Sequence, residues 1–196
     1  MVRVTFYYGT LGSGKTLHCV FDCYLAHRLG KKILTNAHLI GIPYTYFNLQ
    51  DIVNEVYNPA FDTDEQKFLF LDEISTICDA WNAANRQNKI VSDFFVQMRK
   101  RNIEMVYTTA YITGAVNRLR ELTDLFVRCE SKTRHGESEP YEFKFHWVDI
   151  AQLRLLGREG ARKIRHGTQT WPVALASLFY PYYRTKQVIV TQELEK

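Results

Sequence analysis

Short apolar stretches recur along the chain and predict a set of β-strands. They lie at residues 3–8, 33–35, 67–71, 103–109 and 125–129. Residues 68–71 (Phe-Leu-Phe-Leu) are apolar without a break or an alternation. Parallel strands that are covered on both faces have this pattern. We therefore expect a parallel strand here that is buried on both faces.

The segments between these stretches have the composition and periodicity of helices. A helix is predicted at 15–29, directly after the first strand. A second helix is predicted at 89–101, where the apolar side chains fall on one face, and further helices are expected at 49–57 and 116–122. Residues 141–148 alternate apolar and polar side chains, as a half-exposed antiparallel strand does. The chain is predicted to be an α/β protein, with a mostly parallel central sheet flanked by helices and a small antiparallel C-terminal addition.

The stretch between the first strand and the first helix matches the phosphate-binding P-loop, or Walker A motif, without a substitution: it reads Gly-Thr-Leu-Gly-Ser-Gly-Lys-Thr at 9–16. Glycines let the backbone approach a phosphate closely, and the helix N-terminus adds partial positive charge. Lys15 is expected to reach the β- and γ-phosphates, and the Thr16 hydroxyl to hold Mg²⁺. A glycine-rich turn before an ordinary helix is the competing interpretation, which the strand–loop–helix setting disfavours. The predicted nucleotide-binding residues are Gly9, Leu11, Gly12, Ser13, Gly14, Lys15, Thr16 and Leu17.

Two carboxylates, Asp72 and Glu73, end the apolar strand at 67–71 and form a Walker B pattern. Asp72 is expected to bind the Mg²⁺ held by Thr16, directly or through water, so these two are the predicted metal ligands. Glu73 is placed to act as a general base on the attacking water, which makes it a predicted catalytic residue together with Lys15. Thr108 and Thr109 end the strand at 103–109 and are candidate sensors of the nucleotide state.

The net charge of +4 is mild, but its distribution is uneven, because acids dominate between residues 50 and 73 and Lys and Arg are dense from residue 99 onward. The basic half suits a nucleic-acid surface, and equally a solvated face or a subunit interface. Four cysteines show no metal spacing, and Cys19 and Cys23 are expected to face the core as reduced thiols. We expect one domain over 1–196, with a nucleotide-binding core at 1–130 and a hairpin, basic segment and tail at 131–196. A soluble intracellular protein without a signal peptide or membrane segment is expected.

With these motifs in order, the chain resembles the FtsK/HerA superfamily of P-loop ATPases, and within it the viral genome-packaging ATPases and the zonula occludens toxin-like phage proteins. The resemblance rests on residues 9–16 and 68–73, on Gln-x-Arg-Lys-Arg at 97–101 before Val-Tyr-Thr-Thr at 106–109, on Arg-Leu-Arg-Glu at 118–121, and on the tail at 183–189.

The resemblance implies a RecA-like (ASCE) fold and a ring, often hexameric, that uses ATP and Mg²⁺ to translocate double-stranded DNA. It also implies an arginine that reaches the neighbouring subunit's site, for which Arg99 and Arg101 are the candidates and Arg118 is an alternative. The implied partners are DNA, further copies of the chain, and capsid or portal-vertex proteins. The implied location is the host cytoplasm or the virion.

The chain departs from this family at two points. Ala110 stands where the family usually has a glutamine, and no membrane helix of the kind carried by the toxin-like phage proteins is evident. The second departure favours a packaging motor. Two other functions stay open: a P-loop kinase of a small molecule, and a nucleotide-dependent switch or assembly ATPase for virus extrusion.

Overall fold

The structure of the chain is a computed structural model. It describes residues 2–48, 51, 65–76, 86–115, 117–137, 139–150 and 166–183, and of these it describes the backbone alone at 86–88, 91, 92, 99, 114 and 118. The helix predicted at 49–57 lies outside the described residues apart from residue 51. The basic segment at 149–165 lies outside them apart from its first two residues.

Within the described residues, eight strands form one sheet. In chain order they are β1 (Val4–Tyr8), β2 (Lys32–Thr35), β3 (Thr45–Tyr46), β4 (Lys67–Leu71), β5 (Ile103–Thr109), β6 (Leu125–Thr133), β7 (Pro140–Asp149) and β8 (His166–Pro172). The α-helices are α1 (Lys15–Arg28), α2 (Arg86–Met98), α3 (Asn117–Leu122) and α4 (Val173–Ala176). Short 3₁₀ turns lie at Ile74–Thr76, Arg99–Arg101, Ile112–Gly114 and Tyr180–Tyr182.

The strand order across the sheet is β3-β2-β4-β5-β1-β6-β7-β8. The strands from β3 to β6 pair in parallel, whereas β6–β7 and β7–β8 pair antiparallel. β5 therefore lies between the strand that leads into the P-loop and the strand that leads into the two carboxylates. Because these strands are parallel, their carboxyl ends meet at one edge of the sheet. The predicted fold class is confirmed.

The two faces of the sheet carry two separate apolar cores. One core packs α2 and α3 against the sheet through Phe94, Phe95, Met98 and Leu119. The other packs α1 against the opposite face through its buried side chains, including Cys19 and Cys23. Strands β1, β4 and β5 carry buried residues on both faces, which explains their mostly apolar sequences and the unbroken apolar run at 68–71 in β4.

The antiparallel addition is larger than the sequence indicates. The strand predicted at 125–129 continues to Thr133, and the strand predicted at 141–148 runs from Pro140 to Asp149. β8 is absent from the prediction, because its sequence His-Gly-Thr-Gln-Thr-Trp-Pro buries only Trp171 and lacks an apolar alternation. These strands lay Phe143, Phe145 and Trp171 over α1 and extend its core.

The described part of the C-terminal tail ends in a short helical turn. Tyr180–Tyr182 forms a 3₁₀ turn, and a single antiparallel bridge joins Tyr183 to Leu39. The Ile40 N–H donates to the Tyr182 carbonyl at 2.8 Å. This end of the described chain is thus fastened to the segment that follows β2.

Candidate active site

The P-loop at residues 9–14 has glycines where a side chain would collide with the antiparallel strands. Gly9 has φ 153°, and a Cβ there would lie 2.3 Å from the carbonyl oxygen of Cys129 on β6. Gly14, the N-cap of α1, has φ 89°, and a Cβ there would lie 2.8 Å from the Phe143 ring on β7. Both positions require glycine because of their left-handed backbone and their close neighbours. The loop is therefore shaped by β6 and β7.

Lys15 directs its ammonium group into its own loop. Its Nζ donates to the carbonyl oxygens of Gly9 at 2.8 Å and Thr10 at 3.0 Å, and only 7% of the residue is exposed. Ser13 is fully buried, and its Oγ has no hydrogen-bond partner among the described residues. A buried hydroxyl without a partner is unfavourable. A loop with a free hydroxyl, a buried cation and a close-fitting backbone fits a phosphate group.

The two leucines of the predicted binding set have different positions. Leu11 stands at the loop tip with 97% of its surface exposed, and Leu17 is buried in the core on the α1 face. The Leu17 side chain therefore supports the helix, and only its main chain remains for a nucleotide. Gly12 has φ 76° and lies in the open part of the loop.

Thr16 and Asp72, the two predicted metal ligands, are in contact. The Thr16 hydroxyl lies 3.2 Å and 3.3 Å from the two oxygens of the Asp72 carboxylate. The Thr108 hydroxyl donates to the same carboxylate at 2.6 Å. Magnesium prefers hard oxygen ligands of this kind, and it is commonly bound through one carboxylate together with phosphate oxygens. The residues therefore fit a magnesium ion.

The carboxylate of Asp72 is held in a buried position by these donors. Burial raises the pKa of Asp72, whereas the hydrogen bonds from Thr108 and Thr16 and the charge of Lys15 lower it. A divalent cation would favour the charged form further. Asp72 thus occupies a place that suits a metal-bound carboxylate.

Glu73 adopts a backbone conformation that is uncommon for its residue type. Its φ is 48°, in the left-handed region. Its N–H donates to the Thr108 hydroxyl at 2.8 Å. Burial raises the pKa of Glu73, whereas the charge of Lys15 and the backbone N–H of Ala110 lower it, and the charge of Asp72 adds to the effect of burial. A carboxylate with a raised pKa beside the P-loop has the properties of a general base.

The two candidate sensors point to opposite faces of β5. Thr108 bonds both to the Asp72 carboxylate and to the Glu73 N–H. The Thr109 hydroxyl bonds to the main chain of Tyr111 and closes the turn after the strand. Thr108 is therefore in direct contact with both carboxylate residues, whereas Thr109 shapes the turn that carries Ala110. Their role as sensors stays a prediction.

Two of the three candidate arginines, Arg99 and Arg101, lie away from the P-loop of their own chain. Arg99–Arg101 forms the turn before β5, at the edge of the sheet opposite to the P-loop, and a seven-residue strand spans roughly 20 Å. The Arg101 guanidinium donates to Gln97 at 2.9 Å. Arg118 lies in the first turn of α3, whose start follows the carboxyl end of β5. The structure does not describe the side chains of Arg99 and Arg118.

Asn36 is a residue of this site that the sequence reasoning did not identify. It directly follows β2, and its side-chain amide bonds both main-chain groups of Asp72: Nδ2 donates to the carbonyl oxygen at 2.9 Å, and Oδ1 accepts the N–H at 2.7 Å. Its only signal in the sequence is a short polar side chain at the end of a strand. That signal becomes informative once β2 is known to pair with β4.

The fold and the site define the class of the protein. A P-loop follows β1, two carboxylates follow β4, and β5 inserts between the two strands, so the chain has the RecA-like P-loop NTPase fold. The model of the Zonular occludens toxin (Zot) family matches residues 3–186, and the chain belongs to this family. The resemblance to the zonula occludens toxin-like proteins that was inferred from the motifs is thereby confirmed.

Solved structures of two kinds resemble the chain. The N-terminal domain of zonular occludens toxin from Neisseria meningitidis aligns with TM-score 0.57 and 19% identity, over 94% of this chain and 100% of that one. B204, the DNA-packaging ATPase from Sulfolobus turreted icosahedral virus, aligns with TM-score 0.56 and 12% identity, over 84% and 96%. The packaging NTPase B204 from Sulfolobus turreted icosahedral virus 2 in complex with ATP-gammaS aligns with TM-score 0.52 and 12% identity, again over 84% and 96%.

Comparison with curated protein sequences finds no match. In the part of the chain that the structure describes, none of the helices combines the length and the apolar character that crossing a membrane requires.

Proposed function

We propose that this chain is an ATPase that uses Mg²⁺ and couples hydrolysis to the movement of double-stranded DNA, as one subunit of a viral genome-packaging ring. The observation that carries the proposal is the convergence of the Lys15 loop, the Thr16–Asp72 contact and Glu73 at one edge of the sheet. The resemblance in fold to a DNA-packaging ATPase and to a packaging NTPase in complex with ATP-gammaS supports it.

In this mechanism some residues around the P-loop stabilise charge on the phosphates and another transfers a proton. Lys15 neutralises the terminal phosphates, while Thr16 and Asp72 hold Mg²⁺, which supplies charge stabilisation at the phosphate oxygens when bound. Glu73 accepts a proton from water as the water oxygen bonds to the terminal phosphorus and the bond to the leaving ADP oxygen breaks. The raised pKa of Glu73 increases its strength as a base.

The arginine candidates enter the proposal through a neighbouring copy of the chain. Because Arg101 lies at the far edge of the sheet from its own P-loop, it acts on hydrolysis only at the site of another subunit. An arginine supplied in trans stabilises the charge of the transition state and makes the rate depend on assembly. Arg99 is the second candidate for this role and Arg118 the third.

Binding of DNA is assigned to the basic half of the chain. Contacts from Lys and Arg to phosphates hold DNA without reading its sequence, and the affinity of such contacts falls steeply with salt. The expected setting is the host cytoplasm or the virion, with capsid or portal-vertex proteins as further partners.

A second function is favoured by a departure from the resembling family. Burial raises the pKa of Glu73, but the main-chain N–H of Ala110, which stands where that family usually has a glutamine, lowers it. A weaker base suits slow hydrolysis, as in a nucleotide-dependent switch or assembly ATPase for virus extrusion.

The experiment is the steady-state release of phosphate from ATP over a series of protein concentrations, with and without double-stranded DNA. A motor shows a rate per subunit that rises with protein concentration and with DNA, and the DNA effect weakens as salt increases. Lys15→Ala should abolish the release, and Glu73→Gln should reduce it to a slow residual rate that can still be measured. Glu137→Gln, an exchange of the same type at the hairpin tip, should leave it unchanged.

Other outcomes assign the chain to the other functions. A slow rate of phosphate release that does not change when DNA is added contradicts the motor and supports the nucleotide-dependent switch. Phosphate transfer that requires an added small-molecule acceptor, without release to water, contradicts both and identifies a kinase.

A further inference from the structure

Where β2 and β4 separate, the side chain of Asn36 continues the hydrogen bonding between them. The last main-chain partners are Thr35 and Phe70. Beyond them the Asn36 amide donates to the Asp72 carbonyl oxygen at 2.9 Å and accepts the Asp72 N–H at 2.7 Å. Asn36 is 5% exposed. The amide therefore takes the place of the next main-chain partner in the ladder.

A primary amide has the chemistry that this position requires. It offers a donor and an acceptor side by side, and the two contacts to Asp72 fix which atom is oxygen and which is nitrogen. A carboxylate in place of Asn36 would accept the N–H but would face the carbonyl oxygen with a second acceptor. An apolar side chain would leave both main-chain groups unpaired.

The amide acts on the peptide unit that precedes the general base. The Asp72 carbonyl and the Glu73 N–H belong to the same peptide plane. Asn36 binds the carbonyl from the β2 side, and the Thr108 hydroxyl binds the N–H from the β5 side at 2.8 Å. The plane is thus held from both neighbouring strands, immediately before Glu73 turns into the left-handed region with φ 48°.

We propose that Asn36 is a positioning residue for hydrolysis, which fixes the Asp72–Glu73 peptide plane and thereby directs the Glu73 side chain. This inference rests on the proposed ATPase activity. Left-handed backbone is unfavourable for glutamate and persists where its surroundings hold it. Without the amide, the peptide plane is free to rotate and Glu73 leaves the position in which it meets the attacking water, while the P-loop is unaffected.

The test compares Asn36→Ala and Asn36→Asp with the wild-type chain in phosphate release and in the binding of a non-hydrolysable ATP analogue. We expect kcat to fall by roughly tenfold to a hundredfold, as for a displaced catalytic group, with the dissociation constant changed by less than about threefold. In a Glu73→Gln background, Asn36→Ala should have almost no further effect, because its action passes through Glu73.

Asn48→Ala is the matched control. Asn48 also pairs reciprocally with a neighbour, since its N–H donates to the Asp51 carboxylate at 2.8 Å and its Oδ1 accepts the Asp51 N–H at 3.1 Å, but these bonds join it to Asp51 and not to Asp72 or Glu73. The Asn48→Ala variant should hydrolyse ATP at the same rate as the wild type.

Three results would overturn the inference: an unchanged kcat in both Asn36 variants, a loss of analogue binding as large as the loss of rate, or a loss that is undiminished in the Glu73→Gln background. Asn36→Asp is nearly isosteric and keeps one of the two bonds, so it decides the matter if Asn36→Ala does not fold.

Amide hydrogen exchange at Asp72 and Glu73 separates this inference from the proposed function. Both amides should exchange faster in Asn36→Ala than in the wild type, whether or not the chain hydrolyses ATP, and in Asn36→Asp, which keeps the bond to the Asp72 N–H, the Glu73 amide should exchange faster. A wild-type chain without hydrolysis would overturn the proposed function, whereas unchanged exchange would overturn the role of Asn36.

Discussion

The two halves of the sheet use polar side chains in opposite ways. At the carboxyl edge of the parallel strands, Asn36, Asp72 and Thr108 come from three neighbouring strands, are largely buried, and bond to one another or to the main chain. Each group has a partner of complementary chemistry, as buried polar groups require. This part of the molecule is a connected polar network inside the fold.

On the antiparallel strands the charged side chains form small groups of ion pairs on an open face, in which Glu130 and Glu142 each contact two basic side chains. Arg128 pairs with Glu130 at 2.7 Å and Lys132 with Glu142 at 3.5 Å, and both arginine and lysine are exposed. Exposed pairs of this kind contribute little to stability. The opposite face of the same strands is apolar and packs on α1.

The difference shows which half is expected to perform chemistry and which half supports it. The parallel half brings buried charges to the P-loop. The antiparallel half places Phe143 against Gly14 and the Cys129 carbonyl against Gly9, so it shapes the P-loop. Neither of these two contacts involves a catalytic group. Four predictions follow the comparison from the largest expected effect to the smallest.

The largest effect is expected when a buried lysine of the parallel half is compared with an exposed lysine of the antiparallel half. Lys15→Ala removes the cation that lies inside the loop, and hydrolysis should fall by about a thousandfold or more. Lys132→Ala should leave the rate within about twofold, since it removes only an exposed pair. Steady-state phosphate release measures both variants. Equal losses of hydrolysis rate would contradict the assignment of the chemistry to the parallel half and of support to the antiparallel half.

The second prediction concerns the supporting role of β8. Trp171 is buried against α1 and stacks on His18 with ring centroids 4.8 Å apart. Trp171→Ala should lower the free energy of unfolding by about 3–5 kcal/mol, as for other aromatic residues truncated in a core. Tyr141→Ala, at a partly exposed aromatic residue of β7, is the control and should have a much smaller effect. Denaturant unfolding measures both, and a small loss for Trp171→Ala would show that β8 is not needed for the fold.

The third prediction concerns the hydroxyl that joins the two carboxylate residues. Thr108→Val keeps the shape of the side chain but removes its bonds to Asp72 and to the Glu73 N–H. We expect kcat to fall by roughly tenfold to a hundredfold. Thr168→Val on β8 removes a hydroxyl that contacts His146 at 2.9 Å, and it should leave kcat unchanged. An unchanged kcat in Thr108→Val would mean that Thr108 has only a packing role.

The parts of the fold with a strong local signal were predictable from the sequence. β4 is buried on both faces and therefore reads as an unbroken apolar run, and the helix after the P-loop begins at Lys15 as expected and ends at Arg28, one residue early. The motif residues at the P-loop and after β4 are recognisable because their chemistry restricts the residue types.

The parts that were missed depend on contacts between distant segments. β8 has one buried large side chain, Trp171, since its other face is open, so its sequence carries no periodicity. Asn36 acquires its role from the pairing of β2 with β4, which are separated by a long connection. The burial of His18 among Phe145, Trp171 and Tyr7 likewise depends on strands far along the chain.

The smallest signal is expected from the cysteines near the P-loop. Burial raises the pKa of Cys19, Cys23 and Cys129, so these thiols stay protonated at pH 8. They should not react with iodoacetamide in the folded chain and should react fully after unfolding. Peptide mapping by mass spectrometry measures each thiol separately, and labelling of any of the three in the folded state would show that the core beside the loop opens. Cys78 lies outside the described residues.

The most direct test of the central claim is to identify the nucleotide that each chain retains after incubation with ATP and Mg²⁺. We predict that the wild type retains ADP, that Glu73→Gln retains intact ATP at one molecule per chain, and that Lys15→Ala retains neither. This result would assign binding to the P-loop and hydrolysis to Glu73. Hydrolysis of ATP by Glu73→Gln at the wild-type rate, or binding of ATP by Lys15→Ala as in the wild type, would contradict the account.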